Sequence, residues 1–299
     1  MNRRNFLQTA ALSTLAVASL FPSAQSQTLL QVMRERRQTR VDARRPQTQR
    51  RIPIGVQLFS IRGVAQRDLP GTLVALAKMG YEGVEFFGGN YFGKDPKDLR
   101  KLLDDNGLKC CGTHTPLGAF RDRFEETAEI HNILGTKFMI LPSGIDRYLH
   151  NVEGNKQIAE EFNRFAEKAK PFGLFVGYHA HGSDARLIDG VPAWERFFDA
   201  TVPEVVHQMD IGNYKDGGGD PYAMIEKFAG RSKTVHLKEG GQRGPGNPII
   251  GEGTVDWERT FELCETIGGT EWYIVEDEVT PDCIERAERS LVALREMGR

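Results

Sequence analysis

Cysteine is scarce, with four residues in a chain of 299. Cys110, Cys111, Cys264 and Cys283 show neither Cys-x-x-Cys nor zinc-finger spacing, which excludes a small zinc module and a thioredoxin-type redox centre. Cys110 and Cys111 are neighbours on an expected strand and point to opposite faces. The four read as buried thiols, with one disulfide allowed by an oxidising compartment but assigned by no spacing. A long apolar run is missing too. The stretch Ala10 to Phe21 falls short of the roughly 20 residues that a membrane span needs, and no later segment comes closer. No glycine-rich nucleotide loop follows the first expected strand, where Phe59-Ser60-Ile61-Arg62-Gly63 stands instead. Strong net charge is also lacking, at −2 overall. That near-balance hides a split: residues 28–51 carry eight arginines against Glu35 and Asp42, so the chain from Ile52 onward is acidic. An acidic body argues against nucleic acid as a partner.

The N-terminal segment has the pattern of an address. Arg3-Arg4-Asn5-Phe6-Leu7-Gln8 is a twin-arginine motif, the modest apolar run follows, and Ala24-Gln25-Ser26 is a small-residue cleavage site before Gln27. Residues 1–26 are therefore expected to be a signal peptide for export of a folded protein to the periplasm, with an uncleaved anchor as the alternative. Residues 27–51 read as a basic Arg/Gln-rich linker.

From Ile52, short apolar runs alternate with longer amphipathic ones. Strands are expected at 54–60, 83–87, 108–114, 137–141, 174–181, 205–210, 233–238 and 272–276. Helices are expected at 67–79, 96–106, 121–134, 153–171, 192–200, 221–229, 256–267 and 281–297. Gly80, Gly107, Gly135, Gly173 and Gly230 stand just before strands, where a left-handed helix cap is wanted. Asp95-Pro96 and Asp220-Pro221 read as helix starts. Eight strands alternating with eight helices predict an α/β fold, a single-domain (β/α)8 TIM barrel over 52–299. An open doubly wound sheet competes but lacks its nucleotide loop.

In such a barrel the site lies at the C-terminal strand ends. Those ends carry Glu85, His114, His179 with His181, Asp210, His236 with Lys238, and Glu276. In Leu174–His181, alternation puts Phe175, Gly177, His179 and His181 on one face, and Gly177 is expected to leave room beside the imidazoles. His179, Asp210, His236 and Glu276 form a mixed nitrogen and oxygen set. It suits a divalent Mn, Zn, Co or Fe ion better than calcium. Such a site can grip adjacent oxygens of a hydroxy-ketone and stabilise the enediolate made by proton abstraction next to the carbonyl. A salt-bridged polar rim without metal is the plainer reading of the same residues. The glycine-rich loop Lys238–Gly253 lacks P-loop spacing and reads as a mobile lid, with Arg243 placed to contact an anionic substrate.

The segments GVQLFS, GYEGVEFF, GLKCCGTHT, GYHAH, QMDIGN, VHLKEG, GEGTVDW and the final VE, in this order over about residues 52–297, resemble the xylose-isomerase-like TIM-barrel superfamily. It includes sugar isomerases and epimerases, inosose dehydratases and apurinic endonucleases. The resemblance implies a divalent metal held by the residues ending strands five to eight, here His179, Asp210, His236 and Glu276. Many epimerases of the superfamily have glutamate where His179 stands, so the two-carboxylate epimerisation is not reproduced. Glu276, His181, Lys238 and His114 are the candidate acid and base groups. Glu85, His114, Asn213, Lys238 and Arg243 are the candidate substrate contacts. The expected function is a periplasmic, metal-dependent sugar isomerase or epimerase. Two alternatives stand: a lyase or dehydratase eliminating from 3-keto-glycosides or inosose-type keto-sugars, and a non-catalytic sugar-binding barrel. The expected partner is a small sugar or keto-sugar, with no nucleic acid and no membrane span after export. Self-association into a homo-oligomer is compatible with the sequence.

Overall fold

A computed structural model describes residues 51–241 and 246–299, and their ends of strands and helices follow the alternating pattern closely. The described residues form eight parallel strands: β1 (Ile54–Gln57), β2 (Gly83–Phe87), β3 (Lys109–His114), β4 (Phe138–Leu141), β5 (Phe175–His179), β6 (Val206–Gln208), β7 (Thr234–Leu237) and β8 (Trp272–Val275). Each pairs with its sequence neighbour, and β1 pairs with β8. Between β6 and β7 the ladder shrinks to the bridge Asp210↔His236, which closes the ring. This is a TIM barrel. The expected leader, the linker up to Arg50, and Arg243 lie outside the described residues.

The main crossover helices occupy Leu69–Met79, Pro96–Asp105, Phe124–Leu134, Val152–Ala169, Ala193–Asp199, Pro221–Lys227, Trp257–Leu263 and Cys283–Glu296. The side chains of Asp95 and Asp220 accept hydrogen bonds from backbone N–H groups of the turns they cap. The five glycines before strands all have positive φ, between 66° and 102°, as a left-handed cap requires. Two features were not foreseen. A short hairpin pairs Leu187–Ile188 with Val191–Pro192 around Asp189-Gly190, and helical turns at Arg62–Arg67, Leu117–Asp122 and Ile211–Asp216 follow strands directly. The four cysteines are buried free thiols.

Strand alternation sorts the core into two compartments. Outward-facing residues such as Val176, Tyr178, Val235 and Tyr273 join the large apolar layer beneath the helices. Inside the barrel, Phe138, Ile140 and Val206 pack with Phe175 and Trp272. Gly83 and Gly177 make room for this plug: a Cβ at Gly177 would lie 2.6 Å from Ile140 Cδ1, and one at Gly83 would lie 2.9 Å from Trp272. The space beside Gly177 is therefore filled by Ile140 and is not a ligand cavity. Burying these apolar groups at the lower end leaves the polar inward positions to gather at the C-terminal rim.

Candidate metal centre

Register brings the rim residues together. His179 pairs with Gln208, Asp210 bridges to His236, and the Leu237↔Val275 pair puts Lys238 beside Glu276. The staggered strands of a closed barrel thus stack four successive strand ends around one point. His179, Asp210, His236 and Glu276 each offer a ligand atom, and these atoms lie within 4.8 Å of one another. His114, His179 and His236 form a second such group, sharing two members with the first.

The charges explain why the cluster holds its shape. His236 Nδ1 lies 2.8 Å from Glu276 Oε2, and its Nε2 lies 2.7 Å from Glu85 Oε2. Burial opposes a charge on this ring, but the two carboxylates push its pKa up to about 10. Burial likewise opposes the Glu276 carboxylate, yet Lys238 and His236 hold it well below the usual range. Lys238 Nζ sits 3.3 Å from Glu276 and 3.0 Å from Glu278; burial works against its charge and these acids overcome it, raising its pKa. Burial pushes Asp210 up to about 7, with Lys238 opposing. Of the two candidate ligand carboxylates, Asp210 is the one whose charge the surrounding protein compensates less.

The donor set fits a divalent transition ion. His179 Nε2 and Asp210 Oδ2 are 3.9 Å apart, too far for a hydrogen bond and close enough for both to face a common cation. Burial, reinforced by His236 and His114, drives the His179 pKa well down, so its ring is a neutral donor. With His236 giving up to an incoming ion the Nδ1 proton it shares with Glu276, two imidazoles and two carboxylates in this buried pocket suit zinc, manganese, cobalt or iron.

Other predicted residues take up different positions. Glu85 is fully buried, so the expected substrate contact does not fit. Its carboxylate accepts hydrogen bonds from Gln57 Nε2 at 2.6 Å and Gln208 Nε2 at 2.9 Å, besides facing His236 and His114. Gly112 leaves the space that Glu85 occupies, since a Cβ there would lie 2.6 Å from its Oε1. Asn213 donates its backbone N–H and its side-chain Nδ2 to Asp210, both at 2.8 Å, and so orients a candidate ligand. His114 is nearly buried, its Nε2 2.9 Å from Gln208 Oε1. His181, Lys238 and Glu276 are partly exposed at the mouth. Burial lowers the His181 pKa, with Glu276 pulling the other way.

The flanks of the 238–253 loop are pinned. Glu239 accepts from Gly251 N, Val255 N and Trp257 Nε1, and Asp216 accepts from Gly241 N. A lid swinging along that whole stretch does not fit these bonds.

Gln57, Gln208 and Glu278 were not singled out from sequence. The signal for Gln208 was parity: it stands two residues before Asp210 and so shares its face.

The architecture has known counterparts. The inosose dehydratase of Clostridium beijerinckii is 24% identical over 246 residues, covering 69% of this chain and 80% of that protein. A sugar phosphate isomerase/epimerase from Parabacteroides distasonis, solved by crystallography, is 26% identical with a TM-score of 0.72 and covers 84% of this chain and 96% of that one. The IolI protein, solved with a bound zinc atom, superposes with a TM-score of 0.63 over 83% of this chain and 99% of that one; at 14% identity the likeness is one of fold. Residues 73–297 match the family model described as xylose isomerase-like TIM barrel. With three quarters of its length matched and the barrel built strand by strand as that fold demands, the chain belongs to the xylose isomerase-like TIM barrel family.

Proposed function

We propose that this protein is a divalent-metal-dependent enzyme that removes a proton next to the carbonyl of a sugar or keto-sugar and completes the reaction by elimination. The observation that carries the reading is the buried cluster of His179, Asp210, His236 and Glu276, with ligand atoms within 4.8 Å of one another. An ion held there supplies Lewis-acid polarisation of a carbonyl oxygen. Glu276 lies at the partly exposed edge of the cluster, where its carboxylate faces the mouth and is placed to take up a proton from substrate. Lys238 remains an ammonium beside it and can donate to a departing oxygen. His181, kept neutral at the mouth by burial, can accept a hydrogen bond from a substrate hydroxyl. His179 takes the strand-five position, which leaves Glu276 without a second ligand glutamate for reprotonation from the opposite face. That asymmetry, and the dehydratase names of its relatives, support elimination.

A second reading, isomerisation or epimerisation, shares the first proton transfer and is favoured by the likeness to a sugar phosphate isomerase/epimerase. A non-catalytic sugar-binding barrel would have no use for the four-donor cluster. Proton NMR in D2O with free sugars, inososes and 3-keto-glycosides separates these. Loss of water or release of an aglycone with an unsaturated sugar supports elimination. Deuterium entering beside the carbonyl without loss of a fragment supports the second reading, and neither event with any substrate overturns both.

We also propose export by the twin-arginine route, supported by Arg3-Arg4-Asn5-Phe6-Leu7-Gln8. Fractionation with N-terminal sequencing tests it: a mature chain starting at Gln27 outside the cytoplasm is expected, and an intact cytoplasmic chain overturns it.

A further inference from the structure

We infer that Gln208 is a positioning residue: its one buried amide fixes which ring nitrogen carries the proton on His179 and, together with Glu85, on His114. Gln208 is on β6, fully buried, and points into the barrel beneath the metal cluster. The two ends of its amide face different chemistry. One end lies 2.9 Å from Glu85 Oε1 and 2.9 Å from Thr234 Oγ1. Glu85 is a carboxylate surrounded by donors, taking Gln57 Nε2 on its other oxygen with His236 and His114 close by. An ionised carboxylate only accepts, so the amide end facing it is the NH2 group. The other end is then the carbonyl Oε1, which also only accepts.

That carbonyl lies 2.9 Å from His114 Nε2 and 3.0 Å from His179 Nδ1. Each nitrogen must bring a proton to it. His114 Nε2 meets Glu85 Oε2 at 3.2 Å as well, a second acceptor with the same demand. The proton assignments follow: Nδ1–H on His179 and Nε2–H on His114. In the neutral His179 ring the lone pair is left on Nε2. His179 Nε2 is the nitrogen facing Asp210 across 3.9 Å, so its lone pair is presented to the cluster. The amide thereby turns the His179 lone pair toward the cluster and, with Glu85, holds the proton of His114 on Nε2. The metal part of this inference rests on the reading under Proposed function; the proton positions do not.

The test uses the full-length chain with 15N-labelled histidine. Long-range 1H–15N correlation on metal-free protein reads the tautomer of each ring, and zinc titration reads affinity. The expected wild-type spectrum shows Nδ1–H for His179 and Nε2–H for His114. Gln208→Met keeps the length and removes the amide; His179 is expected to leave its tautomer while His114 keeps Nε2–H on Glu85, and zinc affinity to fall about 10–100-fold with an unchanged circular dichroism spectrum. A proton on His179 Nε2, or a His114 ring without a proton on Nε2, in the wild type overturns the inference, as does Gln208→Met with the His179 tautomer retained. The wild-type spectrum decides even where the variant does not fold. Tautomers as assigned with no zinc uptake would support this inference and overturn the metal reading.

Discussion

Replacing Glu85 with glutamine tests how much of the barrel's polar floor depends on one charge. The substitution keeps the size and shape of the side chain. It turns an acceptor of hydrogen bonds from Gln57 and Gln208, and a neighbour of His236 Nε2 and His114 Nε2, into a group with its own NH2 among donors. His236 loses the carboxylate 2.7 Å from its Nε2 while remaining fully buried. Removing one partner of a buried, hydrogen-bonded ion pair costs about 3–5 kcal/mol. That is a large part of the roughly 5–15 kcal/mol that holds a domain folded. In a chain of this size each kcal/mol moves Tm by about 2–4 °C, so a fall of roughly 6–20 °C is expected. Thermal unfolding followed by circular dichroism, on metal-free protein, measures it. Zinc affinity should fall as well, because His236 loses the partner that orients it. An unchanged Tm would refute the reasoning and show that Glu85 is a protonated spectator.

Three further outcomes are expected. Glu276→Gln should abolish turnover and leave the fold intact by circular dichroism; near-normal activity would show that another group takes the proton. Dialysis against a chelator should remove activity, and readdition of zinc, manganese or cobalt should restore it in the wild type but not in Asp210→Asn, as elemental analysis alongside rate measurements would show. Acid should destabilise the barrel through two histidines remote from the rim. Burial lowers His131 to about 4, and burial with Arg231 lowers His207 to about 3. Below their ordinary value of 6.5 the unfolded chain binds these protons first, so the stability they confer is whole above that pH and is lost as pH falls towards the folded values. At about pH 5 the two together remove roughly 4 kcal/mol, and His207→Asn should flatten the denaturant-midpoint profile against pH.

Much of this arrangement was legible in the sequence because period-two alternation and strand-end placement act locally. The run from Phe175 to His181 announces which side chains face inward, and QMD and VHLK do the same for Asp210, His236 and Lys238. What the pattern does not contain is depth. Glu85 stands in the middle of β2 and lies beneath the cluster, whereas Glu276 follows the last residue of β8 and lies at its edge; a register shift opposite Cys110–Gly112 adds to the difference in height. Gly177 reads as an opening from sequence alone, and Ile140, 37 residues earlier, closes it. Asn213 looks like a ligand contact until the turn at Ile211–Asp216 folds it back onto Asp210. Gln57 and Gln208 carry no charge signal, and of the two only Gln208, two residues before Asp210, has a rim residue on its own strand to mark its face as inward.

The ring closes at its thinnest seam where Asp210 meets His236. The described backbone bonds there run from His236 N to Met209 O and from His207 N to Arg231 O, whereas every other seam is a ladder of two or more paired residues. The two residues that fasten this seam are also two of the four candidate ligands. An ion gripped by both would act as a clasp on a hoop, tying the ends of the belt across the place where it most readily parts. Occupancy and mechanical integrity then become one property: amide exchange along β6 and β7 would report metal loading as faithfully as any assay of turnover.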